Sequence, residues 1–104
     1  MRVSTLIDNI SYIDAVGIED IVEDIQGISY NSKKVQHGDL FICLTGEHVD
    51  GHEYAEEAVS NGAVVCVVER RLNLDIPQIV VADTSEAIAQ ISDLFILHHL
   101  RSLI

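Results

Sequence analysis

Two short polar stretches and one histidine-rich run hold the side chains that could do chemistry. Residues 31–34 place Asn31, Ser32, Lys33 and Lys34 together, supplying amide, hydroxyl and ammonium groups. Residues 45–49 form a second polar stretch, inside a loop bracketed by Gly46 and Gly51. Donors of this kind beside the backbone N–H groups of a glycine-flanked loop suit a diphosphate or the edge of a uracil. A surface turn with no ligand has the same composition, and both readings stand at this level. The run His48, Asp50, His52 carries metal-ligand types. Gly51 interrupts any helix there and no third strong ligand is near, so Asp50 reads instead as the cap of a turn or helix. His98 and His99 fall at a helix C-terminus, where a cation suits the helix dipole, and read as structural.

Other chemistries lack their motifs. No GxxxxGK[ST] or GxGxxG phosphate loop and no GxSxG nucleophile elbow occurs. Cys43 and Cys66 lie inside apolar, strand-like runs and no CxxC occurs, so two buried thiols are expected rather than a disulfide, zinc or redox site. The formal net charge of -11 disfavours nucleic acid and anionic membrane surfaces, because phosphate binding wants a basic stripe. Asp8, Asp14, Glu19, Asp20, Glu23 and Asp24 stand against Arg2 alone near the N-terminus and read as a solvated acidic face. No secretory leader pattern opens the chain and no apolar run approaches a membrane span, so a cytoplasmic protein is expected. At 104 residues, 48% of them hydrophobic, one domain over residues 1–104 with a real core is expected.

The elements that would position these groups follow from apolar periodicity. Ser4 is expected to cap a helix through Ile10, with Leu6, Ile7 and Ile10 on one face. Residues 11–17 read as a connection and 18–28 as an extended edge segment, although Ile21, Ile25 and Ile28 also fit a helix. Residues 31–38 are turn-like and 40–44 a buried strand. Residues 52–61 read as a helix burying Tyr54, Ala55, Ala58 and Val59, stopped by Asn61-Gly62. Residues 63–68 and 78–82 are further strands. Strand 40–44, helix 52–61 and strand 63–68 make a βαβ unit, parallel by the rule for such crossovers. Asp83 and Glu86 have capping-box spacing ahead of a last helix that buries Ile88, Ile91, Phe95 and His99. The class is α/β: a small three-layer domain with a mostly parallel sheet.

Residues 27–69 also resemble the N-terminal domain of Mur ligases. The family pattern is a short [ST]-x-Asp-Ser-Arg segment, then Gly-Asp-Leu-Phe, a glycine loop ending Asp-Gly-His, a helix, and a Gly-Ala to Val-Val-Glu strand. The corresponding positions here are Asn31-Ser32-Lys33, Gly38-Asp39-Leu40-Phe41, Gly46 to Asp50-Gly51-His52, and Gly62-Ala63 to Val68-Glu69. The likeness extends over residues 26–95 and is most like the MurE type, with the MurF type sharing much of it. It implies a domain that binds the UDP end of UDP-N-acetylmuramoyl-peptide. Tyr30, Ser32, Glu47, His48 and Val49 match the UDP contacts: Ser32 by hydrogen bond, Tyr30 and Val49 against the base, Glu47 and His48 through backbone. Asp50 and His52 would shape the loop. No catalytic residue or metal ligand is implied in this chain, since ATP and Mg2+ belong to the family's central domain and the incoming amino acid to its third domain. The chain would then be an excised domain or a fragment, incomplete for catalysis alone. Asn31 and Lys33 replace the family's Asp and Arg, which implies a more loosely held turn. It also keeps open a non-catalytic interaction module on the same fold.

Overall fold

The computed structural model describes residues 1–20 and 24–102. Its centre is the pair β3 (Asp39–Ile42) and β4 (Val65–Val68), whose eight residues are all buried. A strand reads as continuously apolar only when both faces of the sheet are covered, and here both are. Leu40 and Ile42 face one side with Val65, Val67, Ile79 and Val81. Helix α1 (Val3–Asn9) brings Leu6 to that side, and α3 (Thr84–Ser102) brings Ala87 and Ile91. Phe41, Cys43, Cys66 and Val68 face the other side, under Ala55 and Ala58 of α2 (Ala55–Ser60). Helix pair, sheet, single helix: the three layers expected from the sequence are present.

Among the described residues, β1 (Asp14–Val16), β2 (Gly27–Ser29) and β5 (Gln78–Val80) complete a five-stranded sheet in the order β1-β5-β4-β3-β2. All neighbours are parallel except β1 with β5. The expected βαβ unit is β3–α2–β4, with Leu40 opposite Val65 and Phe41 opposite Cys66. Gly62 ends α2 at φ +116°, and a Cβ there would stand 2.6 Å from the His37 backbone. Only glycine fits, so the Asn61-Gly62 stop is enforced twice, by conformation and by space. Cys43 and Cys66 are free, fully buried thiols. The hydrogen bond between them and their burial push the Cys43 thiol far above the ordinary range, which keeps it protonated.

Several local expectations need correction. Ser4 does not cap α1; Arg2 holds the cap position with no side-chain bond, and Ser4 lies inside the helix. The helix starts earlier because Met1 is anchored: its ammonium donates to the Ile25 carbonyl at 2.9 Å, and Ile25 N–H donates back at 2.7 Å. The connection 11–17 contains β1, an antiparallel edge strand of three residues, too short to show a period of two. The extended edge reading holds for Gly27–Ser29, while Ile18–Asp20 is a 3-10 turn and Ile21 lies outside the described residues. The helix expected from His52 begins as a 3-10 turn, Gly51–Tyr54, which rotates Tyr54 outward to 44% exposure instead of burying it. Asp83 does cap α3, accepting from Ser85 N–H at 2.8 Å. Of the expected stripe, Ile91 is buried and Ile88 and Phe95 half-buried; the side chain of His99 lies outside the described residues.

Candidate functional site

In an open α/β sheet, ligands sit in the crevice beyond the carboxyl ends of the parallel strands. Four such ends converge here. Strand β2 runs out into Tyr30, Asn31 and Ser32; β3 into Leu44 and Thr45; β4 into Glu69; and β5 into the start of α3 at Ser85. Between them lies an open cavity of about 470 Å³. Its walls include Tyr30, Ser32, Thr45, Val49 and Tyr54, over a floor of Phe41 and Leu44. The lining is mostly apolar with a few hydroxyls, the usual make-up of a small-molecule pocket.

The turn after β2 is held by short-range bonds. The Asn31 side chain accepts from Lys33 N–H at 3.0 Å and caps a 3-10 turn, Ser32–Lys34. Here the amide oxygen of Asn31 supplies the acceptor that a carboxylate would supply. The Ser32 carbonyl accepts from Asn61 Nδ2 at 2.8 Å, so α2 anchors the turn. Ser32 is 5% exposed, and its hydroxyl proton is donated to the Glu57 carboxylate. What remains for a ligand at Ser32 is the oxygen's accepting capacity.

The loop after β3 closes on itself. Gly46 N–H donates to the Val49 carbonyl at 2.8 Å, and Gly51 N–H to the Leu44 carbonyl at 2.7 Å. Thr45 and Asp50 form a one-residue antiparallel bridge across its base. Gly51 is packed so tightly that a Cβ would stand 2.7 Å from Leu44 N and 2.8 Å from its carbonyl oxygen. This tight turn pushes Val49 toward the pocket, still 57% exposed. Glu47 and His48 lie at the exposed tip and do not line the cavity.

Asp50 and His52 serve the loop's frame. Asp50 Oδ1 accepts from His52 N–H at 2.9 Å and from His52 Nδ1 at 2.7 Å, while Oδ2 accepts from Arg70 Nη2 at 3.0 Å. The backbone bond from His52, then the ring bond, with help from Arg70, hold the Asp50 carboxyl at about 2, below its ordinary 3.8. His52 is buried, and its Nε2 accepts from Glu69 N–H at 2.9 Å. Both ring nitrogens are thus engaged, which leaves no lone pair for a metal ion.

Of the five residues singled out from the sequence, the cavity brings together Tyr30, Ser32 and Val49 and leaves Glu47 and His48 outside. Phe41, Leu44, Tyr54 and Ser85 also line it and were not anticipated. The first two read as core in sequence: Phe41 is fully buried and Leu44 half-buried, and together they floor the cavity. Tyr54 was assigned to a buried helical face. A polar aromatic one residue past the Gly-His of the loop, Tyr54 after Glu53, was the available signal.

A family model described as "Mur ligase family, catalytic domain" matches residues 24–101. A UDP-N-acetylmuramoyl-L-alanyl-D-glutamate–2,6-diaminopimelate ligase of Halalkalibacterium halodurans is 50% identical over 72 residues, 69% of this chain and 15% of its own length. The ligase of the same name from Listeria monocytogenes is 40% identical over 91% of this chain and 19% of its own. Among solved structures, MurF of Acinetobacter baumannii superposes with a TM-score of 0.78 at 31% identity, over 88% of this chain and 20% of that one. The chain therefore spans about a fifth or less of the length of these relatives.

Proposed function

For a chain that belongs to the Mur ligase family, we propose that the cavity holds the nucleotide end of UDP-N-acetylmuramoyl-peptide, as the substrate-binding part of a MurE-type ligase. The observation that carries this reading is the meeting of Tyr30, Ser32 and Val49 in one cavity at the carboxyl edge of the sheet. Tyr30 and Tyr54, 64% and 44% exposed, offer aromatic surface for a planar base, and Val49 an apolar edge. Ser32 accepts a hydrogen bond from the base or ribose. Thr45 and Ser85 offer hydroxyls toward the ribose and diphosphate. Glu47 and His48, at the loop tip, contribute backbone groups to the more distant part of the ligand.

The reaction proper needs groups this chain does not assemble. The sequence carries no phosphate-cradling loop, and the described residues hold no cluster of three His, Cys, Asp or Glu side chains able to bind a metal. ATP, Mg2+ and the diamino acid are assigned in this reading to the central and third domains of a full ligase. The partners are then those domains and the UDP-linked muramoyl peptide, in the cytoplasm, with no role for nucleic acid or membrane. Among the described residues no helix is long and apolar enough to cross a membrane.

Titration of the chain with UDP, followed by backbone amide NMR, tests the reading. One domain makes only part of the site, so a Kd on the order of 1 mM, about 4 kcal/mol, is expected. Shifts should cluster at residues 30–32 and 47–54. A folded spectrum indifferent to UDP at that concentration overturns the nucleotide assignment and favours an interaction module on the same fold.

A further inference from the structure

We propose that Asp50, His52 and Glu69 form a positioning relay that sets the shape of loop 45–51 and couples it to the start of α3. The relay is a continuous chain of bonds. Asp50 takes both the backbone N–H and the ring Nδ1 proton of His52. His52 Nε2 takes the N–H of Glu69 at the exit of β4. The Glu69 carboxylate then accepts from Thr84 N–H at 2.8 Å and from the Thr84 hydroxyl at 3.1 Å, at the first turn of α3. The Thr45 hydroxyl stands 3.4 Å from the same carboxylate, a long contact that reaches back to the other end of the loop.

Two features make this more than a satisfied core histidine. First, the tautomer is dictated: Nδ1 carries the proton and Nε2 is the acceptor, because one faces a carboxylate and the other a backbone N–H. Second, the bonds join three separate strand ends. They link the pocket-lining residues Thr45 and Val49 on the loop to Ser85, next to Thr84. Thr84 is fully buried, so its link to Glu69 is shielded from water. Movement of the loop therefore disturbs the helix start that forms the opposite wall of the pocket.

The binding half of this proposal rests on the nucleotide reading above; the loop half does not. His52→Asn keeps an amide donor within reach of Asp50 but removes the acceptor for Glu69 N–H. Asp50→Asn is the milder variant, nearly isosteric and partly exposed, and serves if the first does not fold. In the wild-type chain, imidazole nitrogen shifts should report the Nδ1–H tautomer. In the variants, without ligand, exchange of the Gly46 and Gly51 amides should accelerate about tenfold while β4 amides keep their protection, as for a local opening. UDP binding should weaken about fivefold, the scale of one net hydrogen bond.

An Nε2–H tautomer, or loop amides that exchange at the wild-type rate in the variants, overturns the relay. Loosened loops with unchanged UDP affinity overturn its positioning role. If the wild-type chain ignores UDP, the nucleotide reading falls by itself, and tautomer and exchange still decide the relay.

Discussion

The central strands β3 and β4 and the loop that leaves β3, only two residues beyond that strand's end, are built on opposite principles. The strands are held by burial: every residue of Asp39–Ile42 and Val65–Val68 is buried, with apolar layers on both faces. The loop is held by hydrogen bonds: residues 45–49 are all exposed, yet its ends are tied to Leu44 through Gly51, to His52 and Arg70 through Asp50, and to Glu69 through Thr45. Burial is non-directional and tolerant of small shifts, so it makes a stable platform. Hydrogen bonds are directional and individually worth about 1 kcal/mol, so they fix a shape without adding much stability. A ligand loop on a rigid sheet needs both, in that order.

The sharpest way to break the contrast is to damage the platform. Leu40 is fully buried between the sheet and the α1–α3 layer. Leu40→Ala should cost about 3 kcal/mol of stability, from lost transfer energy plus a cavity. Denaturant melts would read this as a lower midpoint, with every amide affected together. A loss below about 1 kcal/mol would mean that the central strands are not the platform described.

Gly51→Ala should act on the loop from the side of space. The added Cβ meets the Leu44 backbone at 2.7 Å, and a backbone cannot move aside as a side-chain tip can. A destabilisation of about 2 kcal/mol is expected, with amide shifts centred on Leu44 and residues 45–51. Tyr30→Ala should do the reverse. Tyr30 is 64% exposed, so the melt should stay within about 0.5 kcal/mol of wild type. Loss of a stacking surface should weaken UDP binding by about 1 kcal/mol, roughly fivefold, read in the same titration. Equal affinity in wild type and variant would remove Tyr30 from the site.

How much of this was legible in the sequence follows the same division. The β3–α2–β4 unit was readable because continuous apolar runs and the Asn61-Gly62 stop are local signals of burial and chain reversal. The edge strand β1 was not, because three residues, Asp14, Ala15 and Val16, hold their place through pairing with β5 rather than through a pattern of their own. At the site, the polar turn with Ser32 and the glycine-bracketed loop were legible because each follows a strand, whereas Tyr30 and Val49 were singled out only through the resemblance to Mur ligases. Tyr54 was missed because the 3-10 turn, fixed by the Asp50 cap on His52 N–H, shifts the helical phase before α2 begins. The relay through Glu69 was out of reach, since it joins residues 17 and 15 positions apart in the chain.

Acid should separate the two regions with the smallest effect of all. The Asp50 carboxyl sits at about 2 when folded against an ordinary 3.8. A depressed carboxyl lends stability that is complete above the ordinary value and is lost as pH falls through the folded one. The Asp50 contribution should therefore be constant above about pH 4 and fade between about pH 4 and pH 2. Asp50→Asn has no such titration, so the gap in melting temperature between wild type and variant should be flat at neutral pH and close across that window. Other carboxylates acting on the whole fold lower both curves together and leave the gap intact. The apolar platform contributes nothing to the gap, so what closes it is the loop frame alone. A gap that persists unchanged to pH 2 would mean that Asp50 stabilises the loop by its shape and not by its charge.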